Sequence, residues 1–301
     1  MNNCLKTLAF IICILLTTPN PGQSKTRLLV DQLGRRVNVP LNAVRLISLA
    51  PSVTEVVFEL GQSHRLVGAT RFSDYPEAAK HLPKVGSYVH LDLEKIVALK
   101  PDLCIAVKDG NPLKTIQRIE KFKVPVYAVD PRNLEAVMNT VIEIGRVLHA
   151  EEKAIDLVMK MRNRIDDVRA KVAVTSDRPG VFFQIGISPI VSVGTDTFIH
   201  ELIELSGGRN LTRGAVPYPR YSVEQVVRLA PEVFIITSMA RGEIFDRVKR
   251  SWERWPDMPA VKNTRIHLVN SDIFDRATPR LVDGLETLAR LIHPTQYKDS
   301  P

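Results

Sequence analysis

Apolar residues gather in short runs between polar segments along most of the chain, and their spacing predicts alternating strands and helices. Arg45 to Leu49 reads as a strand. Pro51-Ser-Val-Thr-Glu55 then opens a helix, with Ser52 expected as N-cap, Glu55 closing a capping box and Gly61 ending the helix. Leu66 to Thr70 reads as a strand, Leu93 to Leu99 as a helix and Leu103 to Val107 as a strand. Leu113 to Phe122 follows as a helix and Val126 to Val129 as a strand.

The period then changes. From Asn133 to about Val172, Val137, Val141, Ile144, Val147, Leu148, Ile155, Val158, Met161 and Ile165 recur at three- and four-residue steps, which predicts one long or broken helix. Afterwards the alternation resumes, with strands at 181–185, 233–237 and 266–269. Helices are expected at 198–205, closed by Gly207-Gly208, and at 224–229. Strands alternating with helices of these lengths imply parallel sheets covered on both faces.

An internal repeat organises this pattern. Tyr88-Val-His-Leu-Asp-Leu-Glu94 through Pro101-Asp-Leu-Cys-Ile105 parallels Tyr218-Pro-Arg-Tyr-Ser-Val-Glu224 through Pro231-Glu-Val-Phe-Ile235 at a constant offset of 130 residues. Each copy sets a tyrosine before a short helix with Glu in its first turn, then a Pro break and a buried strand. The fold class expected is α/β, with two Rossmann-like lobes joined by a long backbone helix and a ligand cleft between them. The expected division is a first lobe over 25–132, the linking helix over 133–175 and a second lobe over 176–301.

Composition narrows the function. A chain of 301 residues, 45% hydrophobic and 25% charged, is ordinary globular material, too long for one comfortable core. The net charge of +8 comes from basic residues scattered among acids, which argues against a nucleic-acid partner. Residues 1–24 read as a cleavable secretory signal: Met1 to Lys6 is positive, Leu8 to Leu16 is apolar, and Gly22-Gln23-Ser24 offers small residues before a cut at Lys25. Cys13 follows Ile12 rather than a small residue, so lipidation is not expected. After cleavage Cys104 alone remains, in a strand-like apolar run that makes it a packing residue.

Seven histidines show no HxH or HxxxH spacing, so no dedicated metal site is expected. Gly186-Ile-Ser188-Pro-Ile190 lacks the final glycine of a nucleophile elbow, and neither a P-loop nor a dinucleotide GxGxxG is present, so an enzyme is not expected. No catalytic constellation and no cofactor are assigned.

Several segments, in order and spread over both halves, carry a resemblance. They are Ser48-Leu-Ala-Pro-Ser-Val-Thr-Glu55, Phe72-Ser-Asp-Tyr-Pro76, Leu93-Glu-Lys-Ile-Val-Ala-Leu-Lys-Pro-Asp102, Phe183-Gln-Ile-Gly-Ile187, Val216-Pro-Tyr-Pro219 and Ser271-Asp-Ile-Phe-Asp-Arg-Ala-Thr-Pro-Arg280. From Arg45 to Leu288 the chain resembles the helical-backbone (class III) periplasmic solute-binding proteins, and among them the cobalamin binders of ABC importers. The resemblance implies a periplasmic receptor, monomeric when free, that captures cobalamin or a related corrinoid as cargo and delivers it to transmembrane permease subunits.

Carried over by position, it implies aromatic surfaces at Phe72, Tyr88 and Tyr218, with Ile185 where an aromatic often sits. It also implies polar contacts from Asp272 and Arg276, while Asn111, in the loop Asp109-Gly-Asn, is a plausible first-lobe contributor. Glu94 and Glu224 match the glutamates that dock onto permease arginines. Tyrosine stands at 88 and 218 where the family commonly has tryptophan, which leaves heme or a ferric siderophore open as ligands. His90 or a tyrosine could then reach heme iron, and an exported enzyme using the cleft is the remaining alternative. The plainer readings are core-edge tyrosines, dipole-stabilising glutamates, and Arg276 and Arg280 at the solvated start of a final helix. For Arg280 that plain reading is the expectation, with Thr278 as cap and Pro279 in the first turn.

Overall fold

In the computed structural model, residues 25–237 and 244–297 are described. The signal-peptide expectation over 1–24 falls outside them. The chain starts with an antiparallel pair, β1 (Thr26–Val30) and β2 (Arg36–Pro40), turned at Gly34 with φ of 75°.

The first lobe follows as β3 (Leu46–Ser48), α1 (Pro51–Glu59), β4 (Leu66–Ala69), α2 (Leu93–Ala98), β5 (Leu103–Val107), α3 (Leu113–Lys121) and β6 (Val126–Val129). Its four strands pair in parallel in the order β4-β3-β5-β6. All five residues of β5, Cys104 included, are buried, as a central strand covered on both faces requires. Burial also raises the Cys104 thiol pKa far above its ordinary value, which leaves it an inert packing group.

Two helices then link the halves, α4 (Leu134–Leu148) and α5 (Glu151–Ala173). The break falls at His149, which takes a left-handed φ of 56°. A Cβ on Gly145 would lie 2.5 Å from the Ala154 Cβ, so only glycine lets the two helices approach this closely. The acidic Glu151 and Glu152 begin α5 and Lys171 lies in its last turn, which suits the helix dipole.

The second lobe contains β7 (Gly180–Gln184), β8 (Ile190–Val191), α6 (Phe198–Leu205), β9 (Arg209–Asn210), β10 (Arg220–Tyr221), α7 (Val223–Leu229) and β11 (Val233–Ile236). It ends with α8 (Ile244–Trp252), α9 (Pro259–Lys262), β12 (Ile266–Leu268), α10 (Ser271–Phe274) and α11 (Leu281–Ile292). The parallel sheet order is β12-β11-β7-β9. Counting strands within each sheet, both lobes therefore share one topology, a doubly wound 2-1-3-4 order.

The repeat is visible residue by residue. Asp92 caps α2 and Ser222 caps α7, and the helices are followed by Lys100 and Ala230 with φ of 46° and 47°. One hydrophobic core runs from β2 through α1, α4 and α5 to α6 and α11, so the lobes share an interior through their helical linker. Along α5 the buried Val158, Met161, Ile165, Val168 and Val172 form the seam, each stabilising by about 1.5–3 kcal/mol. Arg164 ties α5 to α11 through Glu286 at 2.8 Å and Asp283 at 2.5 Å.

The start of α1 differs from the sequence expectation. Its N-cap position is Ala50, without a side-chain cap, and Pro51 occupies the first turn. Ser52 lies inside the helix, and the Glu55 carboxylate is buried rather than turned back to close a capping box.

Candidate functional site

In a doubly wound sheet the crevice for a ligand opens at the carboxyl ends of the strands, where the strand order reverses. In the first lobe that is the pair β3 and β5, followed by the loops at 48–51 and 108–111; in the second it is β7 and β11.

The first-lobe loops are fixed by buried polar groups. Ser48 Oγ lies 2.6 Å from Thr54 Oγ1, which donates to Ser73 Oγ at 2.8 Å, and Thr70 Oγ1 is 3.0 Å from the same Ser73 hydroxyl. This chain of hydroxyls orders the turn that presents Phe72, 42% exposed. Phe72 meets Tyr88 edge to face, with ring centroids 6.2 Å apart and planes at 65°, and the Arg71 guanidinium lies 4.7 Å from the Phe72 centroid.

The Tyr88 ring lies against Gly110, whose φ is 120°; a Cβ there would sit 2.5 Å from Tyr88 Cδ2. Asn111, nominated as a ligand contact, is instead buried. Its Nδ2 donates to Leu49 O at 2.9 Å and Tyr88 O at 2.7 Å, and its Oδ1 accepts from Val107 N at 2.8 Å. Both amide hydrogens are thus engaged internally, so Asn111 fastens the loop and has no amide hydrogen left for a ligand contact.

In the second lobe the segment carrying Tyr218 is strapped to residues 192–195. Gly194 N donates to Pro217 O at 2.7 Å and Ser192 N to Pro219 O at 3.0 Å. Tyr218 is 53% exposed. Its phenol pKa is raised by desolvation, then by the carboxylates of Asp109, Asp275 and Asp196. Asp109 belongs to the first lobe, so Tyr218 lies within electrostatic reach of that lobe's 108–111 loop. Ile185 is half-buried against the main core and donates its N–H to Val191 O at 2.9 Å, so much of its side chain serves packing.

The groove floor is ionic. Arg276 contacts Glu55 at 3.0 Å, Asp74 at 2.9 Å and Asp272 at 2.9 Å, and donates to Phe72 O at 3.2 Å. Arg280 is not a solvated helix-start residue. It forks onto Glu55, Nε to Oε2 at 2.8 Å and Nη2 to Oε1 at 2.7 Å, and stacks 3.8 Å from the Tyr75 centroid. The reason is spatial: the start of α11 abuts α1, and a carboxylate buried there requires cations. Thr278 Oγ1 accepts from Arg280 N at 3.2 Å, just ahead of the helix. Next to this cluster, Asp275 has its pKa raised to about 7 by burial and then by Asp272, with Arg276 opposing.

Glu94 and Glu224 are both exposed in the first turns of α2 and α7, on equivalent edges of the two lobes. The hydrogen bond from Ser222 lowers the Glu224 pKa. The structure brings Phe72 and Tyr88 together on the first lobe, leaves Tyr218 exposed on the second, sets Asp272 beside Arg276, and leaves Glu94 and Glu224 exposed at the starts of α2 and α7. Sequence reasoning missed Asp74, Tyr75 and Asp275 at the floor, although the quoted segments at 72–76 and 271–280 contained them. Among the described residues no group of three or more His, Cys, Asp or Glu side chains is arranged to hold a metal ion.

A family model described as "Periplasmic binding protein" matches residues 46–273. A vitamin B12-binding protein of Vibrio campbellii is 33% identical over 258 residues, covering 85% of this chain and 92% of that protein. A Bacillus subtilis protein described as an uncharacterized ABC transporter substrate-binding lipoprotein is 29% identical over 89% of this chain and 86% of its own length. Among solved structures, the periplasmic vitamin B12 binding protein of Vibrio cholerae superimposes with a TM-score of 0.73 at 29% identity, covering 85% of this chain and 99% of that one. A periplasmic heme binding protein from Pseudomonas aeruginosa gives 0.77 at 25% identity, over 84% and 94%.

Proposed function

The chain belongs to the periplasmic binding protein family, and from that premise we propose that it captures cobalamin or a related corrinoid between its lobes and delivers it to an ABC importer in the inner membrane. The observation that carries this reading is the set of aromatic side chains: the Phe72 and Tyr88 pair stands on the first lobe and the exposed Tyr218 on the second. A broad, partly apolar macrocycle with amide side chains needs flat rings on both sides, and rings offer that area at low entropic cost. Asp272 and the remaining exposed edge of Arg276 would meet the amides.

Electrostatics favours a corrinoid over heme. Heme propionates need free cations, but Arg276 and Arg280 are engaged with acids, Arg71 covers the Phe72 ring and Arg132 pairs with Asp130. The carboxylates of Asp109 and Asp196 near Tyr218 further disfavour an anion.

The family and the signal-like first residues support export. Glu94 and Glu224, equivalent by the repeat, would dock on a two-fold permease, with each charge fixing register more than adding affinity. Calorimetric titration of residues 25–301 with cyanocobalamin, hemin and a ferric siderophore tests the ligand. One-to-one corrinoid binding with Kd from about nanomolar to sub-micromolar is expected. Binding of hemin or the siderophore alone would move the ligand and keep the transport role.

A further inference from the structure

The groove floor is a bridge between the lobes built from residues more than two hundred positions apart. We propose that Glu55 is a positioning residue: from the first lobe it grips Arg276 and Arg280 of the second, and so sets both the lobe spacing and the direction that Arg276 turns toward the ligand. The second half of this statement rests on the reading of the groove as the ligand site.

The geometry supports it at each step. Glu55 has 2% side-chain exposure, and its two oxygens accept three hydrogen bonds, all from arginines of the other lobe. A carboxylate so far from water persists as an anion only when firmly paired, so separating the lobes here would strand it. Arg280 meets it as a planar fork and is braced by the Tyr75 ring, a fit that lysine cannot reproduce.

Arg276 uses Nη1 on Glu55 and Nη2 on Asp74, Asp272 and Phe72 O, so its plane is set from both lobes. Burial, the largest influence, works to lower its pKa, but the hydrogen bonds to Glu55 and Asp74 together with the charges of Asp272 and Asp74 leave it raised. The bond to Phe72 O also ties the clasp to the aromatic wall, since that backbone carbonyl belongs to the residue that carries the exposed ring. The helical linker and shared core join the lobes at the back, whereas this clasp joins them at the floor, where spacing decides how a macrocycle fits.

The test uses the mature chain with spin labels at exposed Lys121 and Lys262, one on each lobe, and the Glu55→Gln and Arg280→Lys variants. Glu55→Gln keeps the side chain's shape and removes its charge; Arg280→Lys keeps the charge and removes the fork. Pulsed electron resonance should give one narrow interlobe distance distribution for the parent and a broadened one for both variants. Cyanocobalamin dissociation, followed by stopped flow, should accelerate about tenfold in Glu55→Gln, the loss of one charged hydrogen-bond set. A lowered melting temperature with unchanged distance distribution and dissociation rate would reduce Glu55 to a stabilising residue and overturn the proposal. If Glu55→Gln does not fold, Arg280→Lys decides by the same two readouts. If the parent binds no corrinoid, the ligand reading fails while the distance distributions still judge the clasp.

Discussion

The two lobes carry the same helix and strand skeleton but finish their ligand walls differently. Asp92 and Ser222 cap equivalent helices, Lys100 and Ala230 turn with nearly equal left-handed φ, and Ile96 and Val226 are the buried residues of those helices. Yet Tyr88 is packed on Gly110, edged by Phe72 and held through Asn111, whereas Tyr218 is 53% exposed on a segment strapped only by its backbone. One wall is therefore preformed and the other open. A preformed wall contributes to folding stability and binding together, while an open ring contributes to binding alone.

Substitutions can break this comparison, and the largest effect is expected where the lobes are equivalent. Removing both Glu94 and Glu224 as alanines should abolish uptake in a transport assay and leave calorimetric ligand affinity unchanged; a loss of affinity would end the docking assignment. Next comes the preformed wall. Asn111→Ala strands Leu49 O, Tyr88 O and Val107 N and should cost about 2–3 kcal/mol in urea unfolding, with weaker ligand capture in step. Tyr218→Ala on the open wall should leave unfolding within about 0.5 kcal/mol of the parent and weaken binding by about 1–3 kcal/mol. Equal stability losses from the two variants would erase the distinction between the walls.

Periodicity alone made most of the fold legible. Strand β6 and helix α6 fall on their expected residues, and the 130-residue repeat anticipates the common sheet order. The opening β1–β2 pair escaped notice because its apolar residues are few: Leu28-Leu-Val30 in β1, and in β2 only Val37 and Val39, buried in alternation with Arg36 and Asn38. Tyr88 and Tyr218 stood out through the 130-residue repeat, and Phe72 through the resemblance carried by Phe72-Ser-Asp-Tyr-Pro76. The ionic floor was not. Glu55 three residues after Ser52 has the same spacing as a capping box, and only the approach of α11 shows that its partners are Arg276 and Arg280. Long-range charge pairing leaves no local period, so sequence reasoning assigned Glu55 to a cap, Arg276 to the ligand and Arg280 to water.

The smallest expected effect concerns Asp275, beside the open wall. Its carboxyl is raised to about 7, first by burial and then by Asp272, with Arg276 pulling the other way, and it accepts no hydrogen bond from a described residue. The folded chain thus holds a proton there between the ordinary carboxylate value and about pH 7, where the unfolded chain has lost it. Folding stability from this group is complete below the unfolded pKa, falls as pH rises through that window and levels off above it. Asp275→Asn removes the titration, so the variant should match the parent near pH 4 and exceed it at pH 8, by about 1 kcal/mol if solvent at the groove relaxes part of the strain. Urea unfolding of both chains across that range checks the sign. A parent that gains stability relative to Asp275→Asn as pH rises would mean that Arg276, and not burial, governs the carboxyl, and that the clasp leaves this arginine free to face Asp275.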